Sequence, residues 1–254
     1  MTKLAYKIFG QGPDLVLLHG WGMHSGIWQP VLDKLTSDFR VMLVDLPGHG
    51  ESVGLPLQLF EKVVDQILEI APDCAGWVGW SLGGQFAISA AERFPERVDK
   101  LMLVANNPCF QLRDDWPYAM RPEQLEQFAN GLEADWEKTI QRFLALQFLG
   151  ADISKPQLRK LQYEMSALPP DIEALRAGLA LLRSLDLHEE LIRIQQPVQA
   201  ILGGLDRLVP IQLKNFYAEA GIETHIFNRA GHAPFVSCSD EFATMLKRFF
   251  LNGE

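Results

Sequence analysis

The chain has 254 residues, 48% hydrophobic and 22% charged, an ordinary globular composition with enough apolar material for a sizeable core. Against 23 basic side chains stand 32 acidic ones, a net charge of −9 that disfavours nucleic acid or an anionic membrane as the main partner. No run of about 18 apolar residues offers a membrane span, and no apolar stretch follows the lysines of the opening Met-Thr-Lys-Leu-Ala-Tyr-Lys, as it would in a secretory signal. The expectation is a soluble, cytoplasmic monomer. Cys74, Cys109 and Cys238 are widely spaced and in no metal-binding arrangement, so they read as small hydrophobes, not as a disulfide scaffold or zinc site.

The first hundred residues alternate short apolar runs with helical patterns. Leu15–Leu18 ends at His19-Gly20, Val41–Val44 at Asp45-Leu46-Pro47-Gly48-His49-Gly50, and Trp77-Val78-Gly79 and Leu101–Val104 follow. Such runs, bounded by turn residues, are the signature of strands buried on both faces of a parallel sheet. Between them, 60–70 carries Phe60, Val63, Val64, Ile67 and Leu68 at helical spacing, and 82–93 is helical up to Phe94-Pro95. Strand and helix in alternation imply right-handed crossovers.

From about Phe110 to Leu187 no buried strand is legible. Helices are predicted at 122–132, 136–149, 156–166 and 171–182. The sheet pattern resumes at 198–202 and 223–227, and a last helix is predicted over 240–250 with Ser239 as its N-cap. The organisation is one α/β core, 1–109 and 188–254, interrupted by an all-helical insertion at 110–187.

The chemistry centres on Gly79-Trp80-Ser81-Leu82-Gly83-Gly84. G-x-S-x-G alone occurs by chance in roughly one chain of this length in ten. Here it follows a buried strand and opens a helix, the context in which a serine on a strained turn projects its hydroxyl above the sheet. Serine needs a histidine to take its proton and an acid to orient that histidine. Of six histidines only His188, His225 and His232 follow Ser81. His225 falls within a strand and His188 at the end of the helical insertion, whereas His232 lies on the loop between the last strand and last helix. Asp206 follows the 198–202 strand, where open α/β sheets build their sites. The candidate triad is Ser81, Asp206 and His232. The oxyanion donors are predicted as the backbone N–H groups of Leu82 and Trp21. His19 is read as stabilising its turn and Asp45 as structural. This chemistry needs no metal and no organic cofactor.

Together these residues resemble the α/β-hydrolase fold superfamily over essentially the whole chain. The resemblance implies a mostly parallel central sheet flanked by helices, with a helical cap before the last strands. Leu17–Gly22, Gly79–Gly84, Arg142–Gln147 and His232–Phe235 are similar, more narrowly, to the pimeloyl-[acyl-carrier protein] methyl ester esterases of biotin synthesis. That resemblance implies loss of a methyl group from a carrier-bound pimeloyl ester. It also implies substrate contacts from Trp21, Ser81, Leu82, Phe143, Leu144, Ala145, Leu146, Gln147 and His232. An acidic acyl carrier would need a local basic surface. Lys138 and Arg142, and Lys155 and Arg159, are each four apart and share a helix face, with Lys160 beside them and Asp152 the one opposing charge between 138 and 160. A general short-chain carboxylesterase and a carbon–carbon bond hydrolase share the triad and cap and stay open. So does a non-catalytic ligand-binding protein, against which the complete triad argues.

Overall fold

The apolar runs become the middle of one seven-stranded sheet in the computed structural model, which describes residues 3–57 and 59–251. Met1 and Thr2, which open the N-terminal stretch read above, lie outside the described residues. The strands are β1 (Tyr6–Phe9), β2 (Asp14–Leu18), β3 (Arg40–Val44), β4 (Ala75–Trp80), β5 (Val98–Val104), β6 (Val198–Gly203) and β7 (Glu223–Phe227), in the order β1-β3-β2-β4-β5-β6-β7. Only β1 runs antiparallel, against β3. All six residues of β4 are buried, because β2 and β5 flank it and helices cover both faces.

Six of these strands match the sequence expectation; β1 was not anticipated. Tyr6, Lys7, Ile8 and Phe9 are all exposed, so no buried run marks them. Pairing with β3, from Tyr6 opposite Val44 to Phe9 opposite Val41, makes them a strand.

The helices of the first half are α1 (Gln29–Leu35), α2 (Phe60–Ile70) and α3 (Leu82–Arg93). Between β5 and β6 come α4 (Pro122–Gln147), α5 (Lys155–Ser166), α6 (Ile172–Ser184) and α7 (His188–Arg193). The two predicted helices 122–132 and 136–149 are the arms of α4, which breaks at Asp135 (φ −164°, ψ 91°). The Asp135 carboxylate accepts the Lys138 N–H at 3.0 Å, so this aspartate caps the second arm and gives the chain a reason to restart its helix there. Arg176 of α6 clamps Glu133, at the end of the first arm, at 2.7 Å.

The chain closes with α8 (Leu213–Glu219), α9 (Pro234–Ser237) and α10 (Ser239–Leu251). Here one expectation is corrected. Ser239 is the first residue inside α10, not its cap, because α9 ends two residues earlier, at Ser237, and the Phe242 N–H reaches back to the Cys238 carbonyl. Among the described residues no helix is long and apolar enough to cross a membrane, and no cluster of side chains could hold a metal ion.

The contrast between centre and edge sets the stability expectation. Leu17 of β2 is fully buried, whereas Ile8 of β1 is 41% exposed. Leu17→Ala should cost about 2–5 kcal/mol in urea unfolding, and Ile8→Ala about 0.5 kcal/mol. Equal losses would contradict this account of the core.

Candidate active site

Ser81 is one of two non-glycine residues with positive φ among those described, at φ 53° and ψ −120°. It follows β4 directly and is the N-cap of α3, and neighbours on every side hold its backbone. Its N–H donates to the Val104 carbonyl at 3.0 Å, while its carbonyl accepts the Asn106 side chain at 2.8 Å and the Gly84 N–H at 3.0 Å. Glycine is required at the flanks of this turn. A Cβ at Gly79 would stand 2.5 Å from Gly84 Cα, and one at Gly83 would stand 2.5 Å from the Leu18 carbonyl oxygen. The strand and helix therefore approach as closely as a serine elbow demands.

Asp206 and His232 come together above the C-terminal ends of β6 and β7. Asp206 Oδ2 lies 2.8 Å from His232 Nδ1, and Oδ1 accepts the N–H groups of Leu208 (2.8 Å) and Val209 (3.1 Å). Both side chains are shut off from solvent, at 1% and 0% exposure for His232 and Asp206. With Nδ1–H donated to the carboxylate, Nε2 of His232 is left as the basic nitrogen, buried and without a partner among the described residues. Trp80, which precedes Ser81 in the chain, ties the two segments together by donating its indole N–H to the His232 carbonyl at 2.8 Å.

The other two late histidines are committed elsewhere. His188 Nδ1 meets Asp186 at 2.5 Å and its ring stacks on Trp116; His225 faces Glu241 at 3.5 Å on a half-exposed strand.

The predicted oxyanion donors sit where their amides are available. Leu82 opens α3, where no intrahelical carbonyl reaches its N–H. In the loop after β2, the Gly22 N–H goes to His49 Nε2 (3.3 Å) and the Met23 N–H to the Gly20 carbonyl (3.3 Å). The Trp21 N–H forms no such bond among the described residues.

Trp21 itself is buried, its indole N–H donating to the Leu175 carbonyl of α6 at 2.8 Å and its ring meeting Phe143 edge-on at 4.8 Å. Of the segment from Phe143 to Gln147, Phe143, Leu144 and Gln147 are buried. Ala145 is exposed and Leu146 half-buried, and both line an outer cavity of about 430 Å³ together with Arg142 and Leu208. Five consecutive helical residues cannot share one face, since each turns about 100° from the last.

Gln147 was marked only as part of that segment, yet it is bonded directly to the backbone of His232. Its carbonyl accepts the His232 N–H at 2.9 Å, and its own carboxamide is buried with neither oxygen nor nitrogen partnered. Trp80 and Asn106 also hold the site and were not singled out for that role. Only folding reveals that Trp80 reaches across 152 residues to His232.

Lys138 and Arg142 are exposed on the second arm of α4, and Lys155 and Arg159 are exposed on α5. None of the four is in an ion pair among the described residues, whereas Lys160 pairs with Glu164 and Asp152 with Arg229.

His19 and Asp45 brace the loops after β2 and β3. His19 Nδ1–H donates to the Gly20 carbonyl at 2.8 Å and Nε2 accepts the Leu46 N–H at 3.0 Å, so the ring is neutral in this network. His49 is held likewise, by the Pro47 carbonyl (2.9 Å) and the Gly22 N–H. Burial pushes the pKa of His19 down to about 3 and that of His49 down to about 4. Asp45 accepts the N–H groups of Ser25 (2.7 Å) and Glu51 (2.9 Å). Burial pushes its carboxyl up, but His19 and these amides outweigh that and lower it.

A pH dependence of stability follows. Both histidines titrate lower folded than unfolded, so the unfolded chain binds the extra protons. Their contribution is complete above about pH 6.5 and is lost as pH falls toward their folded values. The depressed Asp45 adds its own loss only near the ordinary carboxylate pKa and below. Tm should therefore fall steadily from pH 7 to pH 4.5, with a shallower slope in His49→Gln. A Tm independent of pH across that window would contradict the neutral assignment.

Comparison with known proteins agrees with this architecture. The alpha/beta hydrolase family model matches residues 15–245. The chain is 40% identical over 251 residues to the pimeloyl-[acyl-carrier protein] methyl ester esterase of Aliivibrio fischeri (strain MJ11), covering 98% of this chain and 97% of that protein. It is 42% identical over 253 residues to the protein of that name from Serratia marcescens, covering 98% of both. In fold it is similar to an esterase from Exiguobacterium antarcticum (TM-score 0.86, 22% identity, 98% and 96% of the two chains). An enol-lactonase from Burkholderia xenovorans LB400 superposes with a TM-score of 0.84 at 20% identity, over 98% and 96%. The chain belongs to the alpha/beta hydrolase family and, within it, to the family of the pimeloyl-[acyl-carrier protein] methyl ester esterases.

Proposed function

We propose that the protein hydrolyses a carboxylic ester, removing the methyl group from pimeloyl-[acyl-carrier protein] methyl ester in biotin synthesis. The observation that carries the reading is the geometry of His232: Nδ1 held on a buried carboxylate at 2.8 Å and Nε2 buried and without a partner among the described residues, on a loop tied through Trp80 to the serine at φ 53°. The name borne by relatives at 40% and 42% identity supports the substrate.

In this mechanism Ser81 Oγ attacks the ester carbonyl carbon while His232 Nε2 takes the hydroxyl proton. Asp206 holds the ring and stabilises the imidazolium. The carbonyl oxygen becomes an oxyanion and receives the N–H groups of Leu82 and Trp21; one such donor is worth about 10²–10³ in rate. When the intermediate collapses, the C–OCH₃ bond breaks and His232 returns its proton, so methanol leaves and an acyl-serine remains. Water, deprotonated by His232, then attacks the acyl carbon, and the free carboxylate departs as Ser81 recovers its proton.

Residues 110–187 act as the cap over the core formed by 1–109 and 188–254. Trp21, Leu82, Phe143, Leu144 and Gln147 border the acyl chain, with Ala145 and Leu146 toward the outer cavity. Lys138, Arg142, Lys155 and Arg159 receive the acidic carrier. Their freedom from ion pairs supports this, because an uncompensated basic surface is costly to keep and useful for steering. The enzyme acts as a cytoplasmic monomer, without metal or organic cofactor.

The test compares methanol release from pimeloyl-carrier methyl ester with hydrolysis of a short p-nitrophenyl ester. Wild type should turn over both, and Ser81→Ala neither. The double reversal Arg142→Glu, Arg159→Glu should lower kcat/KM on the carrier ester by about tenfold and leave the small ester unchanged. Equal loss on both substrates would sink the docking surface. Serine-dependent cleavage of the short ester alone would leave a general carboxylesterase.

A further inference from the structure

His232 is fixed at three points. The carboxylate of Asp206 holds the ring, Gln147 accepts the backbone N–H at 2.9 Å, and the Trp80 indole donates to the backbone carbonyl at 2.8 Å. The carboxylate sets the rotation of the imidazole but leaves the height of the loop free. The loop is tied at Ala230 by the Leu205 N–H and at His232 by the two main-chain bonds, and of these only the bond from Trp80 comes from the strand that carries the nucleophile.

Trp80 is the last residue of β4, in register with Val104 of β5, so its backbone is as rigid as the sheet. The side chain is 1% exposed. Its ring meets Phe235, three residues beyond His232, edge-on at 5.2 Å and lies 5.7 Å from the His232 ring. Gly20, in the loop after β2, lies against the same indole and Ser81: a Cβ there would stand 3.3 Å from Trp80 Cε3 and 3.1 Å from Ser81 Cβ. One side chain thus touches the loop after β2 and the base loop and precedes the nucleophile.

We propose that Trp80 is a positioning residue that registers the His232 loop to the Ser81 elbow through its indole N–H; this rests on Ser81 and His232 being nucleophile and base. Loss of the donor leaves the ring of His232 on Asp206 and its N–H on Gln147, but releases its carbonyl from the strand that carries Ser81. Displacements of about 1 Å in a reacting group cost up to about 10²-fold in rate.

The test uses Trp80→Phe beside Trp28→Phe. Trp28 belongs to the same aromatic cluster, 6.4 Å from Trp80 and 4.1 Å from Phe235, but its indole nitrogen has no partner among the described residues. On the short ester, Trp80→Phe should lower kcat by about tenfold with KM within about twofold. Trp28→Phe should keep wild-type kcat even where it loses Tm. Should Trp80→Phe fail to fold, benzothienylalanine at position 80 keeps the shape and replaces N–H with sulfur; the same tenfold fall in kcat is expected. Equal falls in both phenylalanine variants, or kcat within about twofold of wild type in the sulfur isostere, would overturn the assignment. Ser81→Ala, run alongside, separates the two levels: if it stays active the serine reading itself fails, and if it is inactive while Trp80 variants are unimpaired only the positioning role fails.

Discussion

One backbone turn constrains everything above the sheet. A serine at φ 53° and ψ −120° sits in a region that costs of order 1–3 kcal/mol, and it persists only where its surroundings over-determine it. Here β4 is locked between β2 and β5, and hydrogen bonds from Val104, Asn106 and Gly84 fasten both ends of the Ser81 peptide. The glycines that flank it let the helix start against the strand. The same turn puts the first amide of α3 beside the serine, so donor and hydroxyl share one rigid origin.

Around that turn the protein leaves polar groups unsatisfied that folded chains normally pair. The buried Nε2 of His232 and both carboxamide atoms of Gln147 have no partner among the described residues. Each would cost about 1–3 kcal/mol if nothing ever met it. Both lie at the junction of the histidine loop and α4, where the Gln147 carbonyl accepts the His232 N–H.

Much of this was legible in the sequence, for physical reasons that differ by element. The inner strands announce themselves because burial on both faces permits only apolar residues, as in Leu15–Leu18; β7, at the sheet's other edge, is only half-buried. The elbow is legible because close strand–helix approach leaves no alternative to glycine. β1 was invisible, since Tyr-Lys-Ile-Phe is exposed and owes its conformation to pairing with β3 alone. The break at Asp135 was half visible: the two arms were read as separate helices, but not the capping that divides them. Ser239 misled because a serine before acidic residues is the usual cap, and here α9 takes up the chain first. The reach of Trp80 to His232 had no local signal; contacts across 152 residues exist only in the fold.

The central claim is that Ser81 is a nucleophile made reactive by His232. Its most direct measurement is peptide mass spectrometry after brief exposure to an alkyl p-nitrophenyl phosphonate, with labelling followed in time. One adduct is expected, on the peptide that contains Ser81, and its formation should slow by about a hundredfold or more in His232→Ala. Labelling at another residue, or at an undiminished rate without His232, would contradict the account.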